Sequence, residues 1–313
     1  MLVEWMRQFV STIADALGTE MFLVKGVIAV VLVCLLCGMV GSLVVGNRMA
    51  FFSDAMAHCA FAGVALGFLT LVLTGRSRDD AAESWIVPLI MILFGSAVGV
   101  AIAYVRDKTT LATDTVIGVF FAFAIGFGTM LFTVLKQVST FNPEQFLFGT
   151  PLFVPMVDLV YLALLFLLAC VFFAWRYNAV VFASFNPSLA RTRRVSLALN
   201  NYLFVILLAL VVNLSIKSVG ALLINALLVV PAATALNHAR NIRQMFWLTI
   251  LLCVTSGLAG LLLSYYVRIP LGHGVQVPFG PSGAIVVFSV ALFFASFSWR
   301  LISGRKAVAL TAR

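Results

Sequence analysis

The stretch Met49-Ala-Phe-Phe-Ser-Asp-Ala-Met-Ala-His-Cys-Ala-Phe-Ala-Gly63 is apolar except for Ser53, Asp54 and His58. On a helix, Asp54 and His58 stand four positions apart and project from one face, within reach of a single ion. Ionisable groups inside a membrane span are costly and usually face a cavity or a pathway. A carboxylate oxygen and a neutral imidazole nitrogen suit borderline divalent metals such as zinc or manganese. Two ligands from one helix also leave positions for other segments or water. Asp54 and His58 are therefore candidate metal ligands. Two plainer readings compete: Ser53 or Asp54 as the N-cap of the helix, and His58 as a polar residue bonded to a neighbouring helix.

The rest of the chain decides what surrounds this pair. Its 313 residues are 63% hydrophobic and 10% charged, with a mean hydropathy of +1.13. A soluble fold cannot use that much apolar surface, so the sequence reads as an all-α, multi-pass membrane protein. Runs of spanning length occupy about residues 22 to 45, 53 to 74, 85 to 105, 114 to 135, 152 to 175, 200 to 216, 218 to 236, 245 to 267 and 282 to 302. That makes nine spans, or eight if the sixth is re-entrant, since it meets the seventh around Ile216, Lys217 and Ser218. Three segments are expected: an amphipathic stretch over 1–20, one transmembrane domain over 21–303 and a short basic tail over 304–313. Trp5, Phe9, Ile13 and Ala16 give the first an apolar face suited to the membrane interface.

The formal charge of +9 has no aromatic-and-basic surface beside it, which argues against nucleic acid. Nine alternating spans with the C-terminus inside place 13 of the 20 Lys and Arg residues on the cytoplasmic side, and this orients the chain with its N-terminus outside. Cys34, Cys37, Cys59, Cys170 and Cys253 all fall in apolar runs and read as packing residues without a disulfide framework. Cys59, beside His58, is a possible extra soft ligand. Gly63 with Gly67, and Gly95 with Gly99, have the spacing of close helix contacts.

Pro231 interrupts the seventh span, which also holds Asn225. It deletes a backbone bond, so a kink is expected there, and the freed carbonyl of Leu227 must find a partner or line a cavity. Asp114 reads as a cap, Glu144 as a solvated loop carboxylate, and His238 as interfacial. Asn186 before Pro187 can open a short helix on the cytoplasmic face.

Beyond chemistry, residues 48 to 67 resemble the signature of the membrane permeases of metal-uptake ABC transporters, the zinc, manganese and iron group. Asp114-Thr-Val-Ile-Gly118, Phe146-Leu-Phe-Gly149, Val219-Gly-Ala-Leu-Leu-Ile-Asn-Ala-Leu-Leu-Val-Val-Pro-Ala-Ala-Thr-Ala235 and Gly280-Pro-Ser-Gly283 resemble further family motifs, in order. The resemblance implies a permease, not an enzyme, that moves a divalent metal inward. Its partners would be a separate ATP-binding subunit, an extracytoplasmic metal-binding protein, and a second copy of the permease in the lipid membrane. The absence of a G-x-x-x-x-G-K-[ST] loop agrees with an ATPase on another chain.

Carried over, Asp54 and His58 become the transit ligands. The segment with Asn186, Pro187, Ala190 and Arg191 becomes the element seated on the ATPase, although family members tend to have Asp-Pro where this chain has Asn186-Pro187. Ala57 before His58 leans towards the zinc-type members, with manganese or iron as alternatives. No cofactor is implied apart from the transported ion. The stretch 268 to 279, with His273, is longer than usual for the family. A proton-coupled secondary transporter using the same pair is the rival reading. An intramembrane metalloenzyme ranks last, because no H-E-x-x-H is present.

Overall fold

The computed structural model describes residues 2–74, 85–135, 149, 151–185, 196–270 and 276–302. The helices are α1 (Leu2–Leu17), α2 (Met21–Gly46), α3 (Phe52–Leu73), α4 (Ile86–Lys108), α5 (Thr113–Leu135), α6 (Met156–Phe185), α7 (Leu197–Val219), α8 (Ala221–His238), α9 (Ile242–Tyr266) and α10 (Pro281–Ile302). Among the described residues, nine of these are long and apolar enough to cross a membrane, α1 being the exception. Helices are what such runs must form in lipid, because a helix satisfies its backbone groups internally.

The sixth span is a full helix of 23 residues, and the break before the seventh is Gly220 alone, at φ 91°. That left-handed conformation costs a glycine little. The fifth span starts at Met156, later than the apolar run. Pro151–Phe153 forms a 3-10 turn first, and the Pro155 carbonyl accepts the N–H of Asp158 at 3.1 Å. A short antiparallel ladder pairs β1 (Arg268–Pro270) with β2 (Gln276–Pro278), Ile269 lying opposite Val277. It is a local feature of an all-α protein.

The described helices fall into two compact units. The first comprises Met1–Asn47, Leu147–Trp175 and Lys217–Arg313. Its centre is α2, buried from Leu36 to Val44 and packed on α8 and α9. The helix α10 is the opposite case: Val287, Phe294, Trp299 and Ile302 are exposed, as a lipid-facing helix requires. The amphipathic α1 packs on α2 through buried Val10 and Ala14 and leaves Trp5 and Phe9 outward, stacked 5.7 Å apart. At the start of α9, Asn241 accepts the N–H of Gln244 at 2.7 Å, and Gln244 accepts the N–H of Arg240 at 2.9 Å, a reciprocal cap.

The second unit comprises Arg48–Phe146 and Arg176–Ile216. Here α3 lies between α4 and α5. The glycine pairs act as the sequence suggests. A Cβ on Gly63 would stand 2.8 Å from the Cα of Met91, and one on Gly67 would stand 3.0 Å from the Cα of Val87, so α3 and α4 meet backbone to backbone. On α4, Gly99 receives Ala209 and Val205 of α7, and Gly95 receives the amide of Asn213.

Candidate metal site

Within residues 52–61 of α3, only Asp54, His58 and Phe61 are even partly accessible; every other side chain there is buried. The three positions lie on one stripe of the helix. This stripe runs along α5, where the rings of Phe121 and His58 meet in a T-shaped contact at 4.9 Å and 85°, and Phe132 stacks on Phe61 at 4.0 Å. The acid and the imidazole thus share a half-open, aromatic-walled face of an otherwise sealed helix.

The plainer readings change form: Asp54 lies in the first turn of α3, where a carboxylate favours the helix dipole. The N-cap position of α3 is Phe51, so neither Ser53 nor Asp54 occupies it, and the hydroxyl of Ser53 donates to the carbonyl of Ala50 at 3.3 Å. Among the described residues His58 takes no hydrogen bond to a neighbouring helix. Cys59 is fully buried on the face that carries Gly63 against α4, not on the stripe of His58, so it is misplaced as an extra ligand. Asp114 lies inside the first turn of α5, one residue beyond its start at Thr113, where a carboxylate favours the helix dipole.

Among the described residues, no group of three or more His, Cys, Asp or Glu side chains is gathered to hold a metal. Asp54 and His58 are one carboxylate and one imidazole at helical spacing, short of a full ligand set by themselves. An incomplete set suits an ion that must leave again.

The described residues of the last three motifs gather in the first unit. Gly149, at φ 64°, lies against the backbone of Val219 and Gly220, so the last residue of one motif meets the start of the Val219 to Ala235 motif although they are far apart in sequence. Gly280-Pro-Ser-Gly283 opens α10, and Gly280 accepts the N–H of Ala284 at 3.0 Å. These residues, with Leu222, Leu263 and Phe279, line an apolar cavity of about 590 Å³. Pro231 sits inside α8, and the Leu227 carbonyl accepts the thiol of Cys253 at 3.2 Å. His238 does more than mark an interface, since its Nε2 lies 2.9 Å from the Ser296 hydroxyl, which also accepts from Asn237. Glu144, His273, Asn186, Pro187, Ala190 and Arg191 lie outside the described residues.

Three polar features escaped the sequence reading. Asp158, 4% exposed, pairs with Lys217 at 2.7 Å; an acid inside an apolar run was the available signal. The amide of Asn213 is fully buried against Gly95, with both polar atoms unpartnered among the described residues. Arg106 turns inward to Asn201 and Met49.

Nine apolar helices of spanning length among the described residues define a multi-pass, all-α membrane protein. The chain belongs to the ABC 3 transport family, whose model matches residues 19–300. It is 27% identical to the high-affinity zinc uptake system membrane protein ZnuB of Haemophilus influenzae, over 79% of this chain and 89% of that one. It is 28% identical to the manganese import system permease protein ScaB of Streptococcus gordonii, over 88% of this chain and 91% of that one. The structure of PsaBC from Streptococcus pneumoniae in complex with Fab aligns with a TM-score of 0.70 and 25% identity, covering 92% of this chain and 95% of that chain. The chain is accordingly a permease subunit of the cell membrane and not an enzyme, with ATP hydrolysis on a separate subunit.

Proposed function

We propose that this chain passes a divalent transition-metal ion into the cell, zinc first and manganese or iron after it, along a path marked by Asp54 and His58. ATP hydrolysis on the separate subunit drives the movement, and an extracytoplasmic metal-binding protein delivers the ion. The supporting observation is the stripe itself: Asp54 and His58 are half-open on a face of α3 whose neighbours are sealed. An imidazole nitrogen binds zinc more strongly than manganese in the ordinary order of divalent affinities, and this places zinc first. Relatives named for zinc and for manganese agree with that class of substrate.

A second copy of the permease completes the path. On α5, Gly118, Ala122 and Gly126 repeat every four residues on an exposed face of the helix whose Phe121 touches His58. Small residues at that spacing let helices of two copies approach closely. The segment with Asn186, Pro187, Ala190 and Arg191 receives the ATPase.

The test is metal uptake into vesicles holding this chain with its genomically neighbouring ATPase and binding protein, with zinc, manganese or iron and with or without ATP. Zinc accumulation that needs ATP and is lost in Asp54→Ala and His58→Ala supports the reading. Uptake that persists in both variants, or follows a proton gradient and ignores ATP, overturns it.

A further inference from the structure

We propose that Arg106 is a positioning residue that ties the start of α7 to the start of α3, so that displacement of α7 reaches the helix bearing Asp54 and His58; this rests on the reading of the chain as an ATP-driven metal permease. Arg106 lies in the last turn of α4, where a cation complements the helix dipole. A charge serving only that end, or only as a membrane anchor, extends to water, as its exposed neighbour Lys108 does. Arg106 instead turns inward and is half-buried. One terminal nitrogen, Nη2, donates to the side-chain oxygen of Asn201, and the other, Nη1, lies 3.0 Å from the sulfur of Met49.

Each partner leads to a different helix. Met49 is fully buried, and its carbonyl accepts the N–H of Phe52 at 2.9 Å, the bond that opens α3. The residue before it, Arg48, is held at φ 55°, a conformation that a non-glycine side chain keeps only where its surroundings fix it. Phe52 is fully buried and reaches towards Gly99 of α4. The entry to α3 is therefore fixed from Arg48 to Phe52, and Asp54 and His58 follow within the next two turns.

Asn201 lies early in α7, the helix that in sequence follows the 186 to 194 segment assigned to the ATPase. The same helix runs along α4 at Gly99 and Gly95. A planar guanidinium can send two terminal N–H groups to two different partners, whereas a lysine ammonium is a single point charge. The geometry thus gives α7 a hold on α3 through one side chain of α4.

The experiment uses the assembled transporter in proteoliposomes and reads zinc moved per ATP hydrolysed. Asn201→Leu removes the acceptor, and the expected result is a fall of about tenfold in zinc per ATP, the scale of one charged hydrogen bond, with ATP hydrolysis retained. Asn201→Asp keeps an acceptor and is expected to keep the wild-type ratio. Arg106→Lys, able to hold one partner, is expected to fall between them. An unchanged ratio in Asn201→Leu overturns the proposal. So does a parallel fall of uptake and hydrolysis in both Asn201 variants, the mark of a purely structural residue. If the wild-type assembly itself shows no ATP-dependent zinc movement, it is the underlying functional reading that fails.

Discussion

The thiol of Cys253 donates to the carbonyl oxygen of Leu227 at 3.2 Å, filling the bond that Pro231 removes from α8. The sequence dictates that this carbonyl needs a partner, since proline has no N–H to offer four residues later. An unsatisfied carbonyl at this depth cannot fall back on water. Cys253 comes from the adjacent α9 and is fully buried. Cys253→Ala is therefore expected to cost about 1 kcal/mol of stability. Replacing Pro231 by Ala in the same chain restores the N–H inside the helix and should recover most of that loss. Unfolding in detergent of the two single variants and the double variant checks this; additive losses would count against the bond.

The ion pair of Lys217 and Asp158 makes a second stability prediction. Asp158 is 4% exposed, so removing its partner leaves an uncompensated buried carboxylate. Lys217→Met is expected to destabilise the permease by about 3 kcal/mol. The double variant Lys217→Met with Asp158→Asn, which removes both charges, should be closer to wild type than the single. Thermal unfolding of the purified permease gives the comparison. Equal losses in the single and double variants would show that the charge on Asp158 is not what matters.

What the sequence made legible and what it left hidden follow one physical line. Membrane spans were legible because lipid demands long apolar helices, and Asp54 with His58 because the same demand makes an ionisable pair conspicuous. The glycine pairs were legible because their spacing alone defines a helix face. For Pro231 the need for a donor was legible but not the donor, because Cys253 is remote in sequence and looks like any other packing cysteine. Arg106 read as one more cytoplasmic charge, since composition does not distinguish a guanidinium pointing to water from one turned towards Asn201. Asp158 and Lys217 were hidden for a related reason: pairing a charge needs a partner that only the folded chain brings near. The short ladder after α9 escaped notice because three-residue strands leave too little periodicity to read.

The exposed small residues of α5 give a prediction about assembly. If Gly118, Ala122 and Gly126 form the contact between two copies, Ala122→Leu should push the helices apart without disturbing the fold of either copy. The expected outcome is a shift from dimer to monomer in detergent, by a factor of about ten in the dissociation constant, with zinc uptake lost in parallel. Mass measurement of single particles reads the first and vesicle uptake the second. A dimer that survives Ala122→Leu unchanged would move the contact to another face.

If His58 is a transit ligand, as proposed, the donor at position 58 bears on the choice of metal. The His58 nitrogen favours zinc, while an all-oxygen set suits manganese. His58→Asp puts a second carboxylate on the half-open stripe beside Asp54, and their repulsion strengthens the demand for a cation. The ratio of zinc to manganese uptake is therefore expected to fall by about tenfold in His58→Asp, a change of roughly 1.4 kcal/mol in relative affinity. His58→Ala, by contrast, should abolish both. Competition between zinc and manganese in the same vesicles measures the ratio directly. If His58→Asp moves both metals down together and leaves their ratio untouched, His58 is not the group that selects between them. Selection would then belong to the protein that delivers the ion.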